Sequence, residues 1–424
     1  MMSMKYGEYK NSGISWVGEI PVNWRKKRIK FLCSNSSAGI WGEEEQGDLN
    51  DIACFRIADF DYQTGYLRFD KLTTRNIQSK DLCGRVLDVN SLLIEKSGGG
   101  DATPVGRVVR YNFDDKATCS NFIHFITIDE LYNRDFLYYY FYALYANKEN
   151  LLYFNQTTGI QNLKVGEYLG QSIFLPEHPE QQAIAIYLDE KCGEINRAID
   201  VQNKKIELLS ELKQTIITDA VTKGLNSNVP MKDSGVEWIG VIPEHWKIRR
   251  TRFLCKIQTG DKDTVNRIDD GRYPFYVRSP KVERIDSYTF DGEAVLMAGD
   301  GVGAGKVFHY ANGKFDYHQR VYNLHNFKDV GGLYYYYYIS NKFKYIIEEG
   351  AAKNTVDSVR LNMIQDFWVT IPPLSEQQNI VAHIEKECAK IDLQMSKANR
   401  RIELLNELKQ SIITEAVTGK IKVC

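Results

Sequence analysis

The sequence predicts an α+β protein: two globular domains separated by two long antiparallel helices of coiled-coil type, arranged as a pseudo-two-fold internal duplication. Three observations predict it. The first is a double return of motifs. KNSGISWVGEIPVNW at 10–24 comes back as KDSGVEWIGVIPEHW at 232–246, and ELLSELKQTIITDAVT at 207–222 comes back as ELLNELKQSIITEAVT at 403–418. A period of about 200 residues is domain-sized, far beyond the unit of a solenoid. The second is a step of four and three along Leu188, Cys192, Ile195, Ile199, Gln202, Ile206 and Leu209, repeated at Ile384, Cys388, Ile391, Met395, Ala398, Ile402 and Leu405. That spacing is a heptad seam. The third is a change of texture within each copy, from Gly- and Tyr-rich sequence with short β-branched runs to the heptad segment.

These observations divide the chain into a domain at 1–175, a spacer helix at 176–229, a second domain at 230–371 and a second spacer helix at 372–424. In the domains, NSLLIEK and GRVVRY, and later EAVLMAG and GKVFHY, read as short strands between Gly-rich turns. FLYYYFYALY at 136–145 and LYYYYYIS at 333–340 read as a short buried helix beside the strands. The long helices carry start and stop signals. Pro179 suits a first turn, and Ser375 with Gln378 makes an S-x-x-Q capping box. Gly224 and Gly419 stand where helices stop. Leu212 and Ile216, with Leu408 and Ile412 in the copy, are expected to carry the apolar face onward after a stutter. Each helix then has about 43 residues and runs roughly 65 Å at 1.5 Å per residue. A seam of that length left in water is unfavourable. The copy supplies the nearest matching partner, packed antiparallel.

Composition narrows the function classes. With 424 residues the length prior is about three units. Hydrophobic residues at 43% and charged residues at 26% exclude a disordered or collagenous chain. Lys+Arg 54 against Asp+Glu 55 gives a net charge of −1, which excludes a bulk polycation. Nucleic-acid binding would have to come from locally placed cations. No apolar run reaches the roughly 18 residues of a membrane span, and MMSMKYGEYK has no apolar core of a secretory signal, so a cytoplasmic protein without membrane contact is expected. Eight cysteines without a C-x-x-C pair argue against structural zinc and against a disulfide framework, and no metal ligand set is expected. Catalytic motifs are also missing. GDGVGAGKVFHY at 299–310 approaches a phosphate-binding loop, but Asp300 takes the first glycine position and Val307 replaces Ser/Thr. No G-x-G-x-x-G opens a helix, and no H-E-x-x-H, G-x-S-x-G or N-P-P-Y string occurs. No catalytic residue is expected.

Four groups of residues are candidates for nucleic-acid contact, each beside a structural alternative. Arg25, Lys26, Lys27, Arg28 and Lys30 follow Trp24, and Lys247, Arg249, Arg250 and Arg252 follow Trp246. They read as a two-site phosphate grip or as a solvated amphipathic face. SGGGDATPVGR at 97–107 and GDGVGAGK at 299–306 begin or end in Ser97, Arg107 and Lys306. Glycine there permits close approach to phosphate, and equally a tight hairpin. The tyrosine runs suit base stacking or, more simply, the domain core. NQTTGIQNLK at 155–164 brings Gln156, Thr157, Gln161 and Lys164, and KNTVDSVRLN at 353–362 brings Lys353, Asn354 and Arg360. These mix amide, hydroxyl and cation types suited to base edges, or are ordinary loops.

The ordered double array of SGISWVGEIPVNW and SGVEWIGVIPEHW, TTGIQNLK with PEQQAIAIYLDEKCGEI, PPLSEQQNIVAHIEKECAKID and both ELxxELKQxIITxAVT blocks resembles the specificity subunit of type I restriction-modification systems over nearly the whole chain. The resemblance implies two target-recognition domains, each reading one half of a split asymmetric target in double-stranded DNA. It implies two modification subunits docked on the helices and bringing S-adenosylmethionine-dependent N6-adenine methylation. It also implies restriction subunits that bring ATP- and Mg-dependent translocation and cleavage, with no cofactor in this chain. TTGIQNLK has only the looser NTVDSVRLN as its counterpart, which weakens the carry-over in the second domain. The rival reading is a coiled-coil scaffold whose end domains bind protein or ligand.

Overall fold

A computed structural model describes residues 5–100, 102–157, 159–351 and 358–423. The chain forms two compact units, one of residues 1–203 with 400–424 and one of residues 204–399. Each unit therefore holds one globular domain together with a part of both long helices, and the unit boundaries fall inside the helices.

The first unit is built on a six-stranded sheet in the order Cys33–Ala38, Ile123–Ile128, Ser91–Glu95, Val108–Arg110, Tyr66–Leu67, Phe60–Asp61. Ser91–Glu95 is buried along its whole length because both faces of the sheet are covered. Strand alternation sorts its side chains. Leu92 and Ile94 face one core with Ile126, Phe136 and Leu137, while Leu93 faces another with Phe55, Val109 and Phe125. The Tyr-rich helix Arg134–Ala146 lies on the first face, its N-terminus capped by Asn133, whose side chain accepts from Phe136 N at 2.8 Å. Tyr138, Tyr139 and Tyr140 are buried in or against that core. Arg110, 2% exposed, ties the sheet to the helical part of the unit. Its guanidinium bonds Asp189 at 2.7 Å and lies 3.9 Å from the Tyr66 ring.

The second unit repeats the plan for four strands, Lys256–Thr259, Val321–His325, Phe290–Ala298 and Phe308–Tyr317, and then departs from it: the last two places go to Tyr273–Tyr276 and Glu283–Ile285, in the reverse chain order of Tyr66–Leu67 and Phe60–Asp61. The same alternation sends Val295 and Met297 to the face with the Gly332–Lys342 helix, and Ala294 and Leu296 to the other. Each unit also has a parallel pair. Asp51–Phe55 runs parallel to Ala117–Cys119, and Tyr273–Tyr276 runs parallel to the end of Phe308–Tyr317.

The repeated motifs account for how domain and helix are joined. Trp24 and Trp246 are buried, and their indole N–H groups donate to Glu180 at 3.4 Å and Glu376 at 3.1 Å, in the first turns of the long helices. The next residue of each E-Q-Q triplet is buried as well. Gln181 accepts from Asn133 N at 3.0 Å and donates to Pro176 O at 2.9 Å. Gln377 accepts from Gly331 N at 2.8 Å and donates to Pro372 O at 2.8 Å. One amide side chain thus locks the start of the long helix to the start of the Tyr-rich helix in both copies.

The first long helix spans His178–Lys223 and the second Leu374–Val417. Pro179 lies in the first turn. The Ser375 capping box is corrected, because the helix already begins at Leu374 and Ser375 is inside it, while Pro373 O accepts from Glu376 N and Gln377 N. Gly224 and Gly419 follow the helix ends with φ of +73° and +70°. A Cβ on Gly419 would come within 2.4 Å of Pro21, so the chain turn and close packing both need glycine there.

In the first unit Leu188 and Cys192 of the first helix share a core with Ile413, Ala416 and Val417 of the second. In the second unit Ala220 and Val221 share a core with Ile380, Ile384 and Cys388. In each unit the start of one helix meets the end of the other, so the segments pair antiparallel. Ile195, Ile199, Leu209 and Ile391 are buried, and Ile206, Met395, Ile402 and Leu405 are half-buried. The expected course after the stutter is corrected: Leu212 and Leu408 are 48% and 47% exposed. In the first unit the inward place goes to Lys409, whose ammonium donates to Gln63 O at 2.8 Å and Asn196 Oδ1 at 2.9 Å, and burial pushes its pKa down. Its counterpart in the second unit, Lys213, pairs with Asp392 at 2.7 Å. Among the described residues no helix is long and apolar enough to cross a membrane.

Candidate nucleic-acid interface

The basic run after Trp24 is a strand, Arg25–Arg28, paired antiparallel with Ser172–Leu175, the segment that leads into the first long helix. All four side chains are exposed. A strand sends alternate residues to opposite sides, so the cluster is split. Arg25 lies 3.8 Å from Glu177, and Lys27 donates to the Tyr132 hydroxyl at 2.5 Å. Lys26 and Arg28 form no ion pair within 4 Å among the described residues, and Lys30 lies over Phe31 at 5.1 Å. The equivalent strand Lys247–Arg250 pairs with Trp368–Ile371. Its cations are largely neutralised: Arg249 bonds Asp329 at 2.8 Å, Arg250 bonds Asp366 at 2.9 Å, and Arg252 shares Asp366. Lys247 stays exposed beside a cleft with His245 and Pro373.

This difference gives a prediction. Replacing Lys26 and Arg28 by alanine should weaken DNA binding by the assembled complex equally for all sequences, and lower the slope of log K against log salt by about two. Replacing Arg250 and Arg252 should change the slope much less, because those charges already have a carboxylate partner. Salt titrations of binding on two unrelated duplexes check both. A change confined to one duplex would contradict the phosphate assignment.

The Gly-rich loop and the polar hairpin of the first domain, separate in sequence, come together. Ser97–Gly98 pairs with Ile160–Leu163, which pairs with Phe154–Thr157. The Ser97 hydroxyl donates to Asn162 Oδ1 at 2.7 Å, and the buried Gln161 accepts from Val105 N at 3.2 Å. Arg107 bonds the buried Glu95 at 2.9 Å and stacks 3.7 Å from the Tyr62 ring. Ser97, Gln161 and Arg107 thus hold the loop in shape through internal bonds, whereas Lys164 is exposed and 3.9 Å from Glu167. The side chains of Gln156 and Thr157, and Lys353 and Asn354 altogether, lie outside the described residues. In the second domain the Gly-rich loop meets the chain just after 357 through an Asp300–Ser358 bridge. Lys306 and Arg360 are exposed there.

Beside the loop of the first domain is a cleft of about 480 Å³ lined by Trp41, Arg56, Ile57, Ala58, Ser120, Asn121 and Phe122. It opens at the carboxyl ends of the parallel pair, where Arg56–Ala58 follows one strand and Ser120–Phe122 the other. Crevices of this kind are the usual ligand sites of α/β sheets. Phe122 is 49% exposed. Arg56 is tied to Asp59 by two bonds, and Arg75 stacks 4.5 Å from Trp41. None of the cleft residues was a candidate from sequence. The available signal was weak: a glycine shortly after each F-L-C, Gly39 and Gly260, where a Cβ would meet the backbone oxygen of Cys119 or Tyr317 at 2.1 Å. Among the described residues no group of three or more His, Cys, Asp or Glu side chains is placed to hold a metal ion.

Duplicated α+β units, each tied to long helices and each presenting loops at one end of a parallel pair, define a recognition scaffold. The family model for the type I restriction modification DNA specificity domain matches residues 70–209 and 243–404, and the chain belongs to that family. The curated relatives that it matches are specificity subunits of type I restriction enzymes. It is 29% identical over 182 residues to the type I restriction enzyme EcoDI specificity subunit of Escherichia coli, covering 43% of this chain and 40% of that protein. It is 21% identical over 309 residues to the type I restriction enzyme StySPI specificity subunit of Salmonella potsdam, covering 66% of this chain and 63% of that protein. The aligned part is thus less than two thirds of each of these relatives. A chain solved in work on complex assembly and conformational transition of the type I R-M system shares the fold, with a TM-score of 0.70 at 15% identity over 94% of this chain and 98% of that one.

Proposed function

We propose that this chain reads a two-part target in duplex DNA, one half per globular domain, and docks the subunits that act on it. The observation that carries the reading is the pairing of a repeated frame with unlike surfaces. Both units keep the order of the first four sheet strands and the Trp–Glu and Gln locks. The basic strand and the Gly-rich loops, by contrast, differ in charge and partners between the copies. Two domains with different half-targets need that combination.

Modification subunits would dock on the outward side of the helices. Leu208 and Leu212 in the second unit, and Leu404 and Leu408 in the first, are exposed at i, i+4 spacing at the same places of the repeated block. Apolar pairs on a charged helix face suit a helical partner. S-adenosylmethionine, ATP and Mg would be held by the modification and restriction subunits, and the site of action would be the cytoplasm. Because the net charge is −1, the isolated chain should hold DNA weakly and gain grip in the complex.

Binding to duplex DNA over a range of salt, with and without a modification subunit, tests this reading. Strong salt-dependent binding is expected only for the complex, with preference for a methylatable target. A complex that ignores DNA while the chain captures another protein or a small ligand would favour the scaffold reading.

A further inference from the structure

Positions that line the cleft of the first domain have backbone counterparts in the second domain, with different side-chain chemistry. The match rests on backbone bonds. Lys96 N donates to Phe122 O at 2.9 Å, and Gly299 N donates to Arg320 O at 2.8 Å. Leu163 N donates to Lys96 O at 2.8 Å, and Val359 N donates to Gly299 O at 2.7 Å. Ser120 N reaches Phe55 O at 2.8 Å, and His318 N reaches Tyr276 O at 2.9 Å. Phe122 therefore corresponds to Arg320, Ile57 to Arg278 and Ser120 to His318.

In the first domain two of these places hold the apolar side chains of Phe122 and Ile57, joined by Trp41, the third holds Ser120, and the neighbouring Arg56 is folded onto Asp59. In the second they hold two arginines clamped by one carboxylate: Asp300 bonds Arg278 at 3.0 Å and lies 3.6 Å from Arg320. Arg320 remains 65% exposed at its side chain, so most of its donors face outward. His318, 2% exposed, supports the Arg320 backbone: its Nδ1 accepts from Arg320 N at 2.9 Å, while Nε2 has no hydrogen-bond partner among the described residues and lies 3.9 Å from Asp263. The loop glycines make room. A Cβ on Gly303 would fall 2.3 Å from Arg278 O, and one on Gly299 would fall 2.9 Å from the Tyr322 ring.

A guanidinium held by a carboxylate is a pre-set fork, the group that donates to O6 and N7 of guanine in the major groove. An aromatic and aliphatic surface without a free cation meets the thymine methyl instead. We propose that these matched positions are the base-reading positions of the two domains: Arg320 and Arg278, set by Asp300, read a guanine in one half-target, and Phe122, Ile57 and Trp41 read a thymine methyl in the other. The inference rests on the reading of the chain as a two-part DNA recognition subunit.

The test is methylation mapping across a host genome carrying the modification subunit with the full-length chain, wild type or variant. Arg320→Ala should relax one G·C position in one half-target by tenfold or more and leave the other half intact. Arg320→Lys keeps the charge but loses the fork, so it should relax the same position. Phe122→Ser should relax an A·T position in the opposite half. Melting temperature and co-purification with the modification subunit confirm that each variant is folded, as the exposure of Arg320 and Phe122 predicts. Arg320→Lys with wild-type selectivity, or equal loss at every position in Arg320→Ala, would make Arg320 a phosphate contact and overturn the proposal. An unchanged motif in Arg320→Ala and Phe122→Ser would also overturn it. If the wild-type complex gave no two-part motif, the function reading itself would fail, which is a separate result.

Discussion

Replacing Trp24 by alanine should cost the first unit about 3–5 kcal/mol, the range for deleting a buried aromatic. Trp24 is 1% exposed and packs edge-on with Tyr6 and Phe136 at centroid distances of 6.2 and 6.4 Å. Its loss also leaves Glu180 without the indole donor and opens a hole against Gly419. For a unit of this size the melting point should fall by roughly 10 °C, at about 2–4 °C per kcal/mol. Trp24→Phe should keep most of the packing and lose mainly the hydrogen bond, worth about 1 kcal/mol. Thermal unfolding of both variants checks the order. A Trp24→Ala protein within about 1 kcal/mol of wild type would mean that the tryptophan does not tie domain to helix.

A half-chain ending at Gly224 should form a stable dimer. In the intact chain Ile413, Ala416 and Val417 complete the core that holds Trp24, Leu188 and Cys192. The half-chain lacks them, but it carries their repeat equivalents Ile217, Ala220 and Val221 in a nearly identical block. Two copies can supply this segment to one another antiparallel, a reciprocal exchange that closes with two-fold symmetry. Alone, the half-chain would expose the apolar face at Val17, Ile20 and Leu188. Sedimentation should therefore find a dimer and no folded monomer. Stable, compact monomer would contradict the antiparallel exchange.

The frame was legible in the sequence because local pattern decides it. The heptad step gave the helices, and the texture of short apolar runs gave the strands. Helix boundaries were read within a few residues, since Pro179, Gly224 and Gly419 act through their own backbone. Leu212 and Leu408 misled, because their outward placement depends on which neighbours fill the interior, and there a lysine does. The roles of Glu180 and Gln181 were hidden in a motif whose partners, Trp24 and Asn133, lie far away in the chain. The cleft was least legible. Trp41, Ile57 and Phe122 come from three loops, and only strand pairing brings them together. In the second copy the matching places are Arg278 and Arg320, so sequence comparison of the repeats gives no alignment there.

The central claim is that two copies of one frame read two different half-targets. Methylation mapping of the modification subunit paired with the intact chain, and then with the half-chain, tests it most directly. The account predicts N6-methyladenine at an asymmetric two-part sequence with the intact chain, and at an inverted repeat of one of those halves with the half-chain. A continuous target for the intact chain, or a half-chain that methylates the same asymmetric sequence, would contradict it.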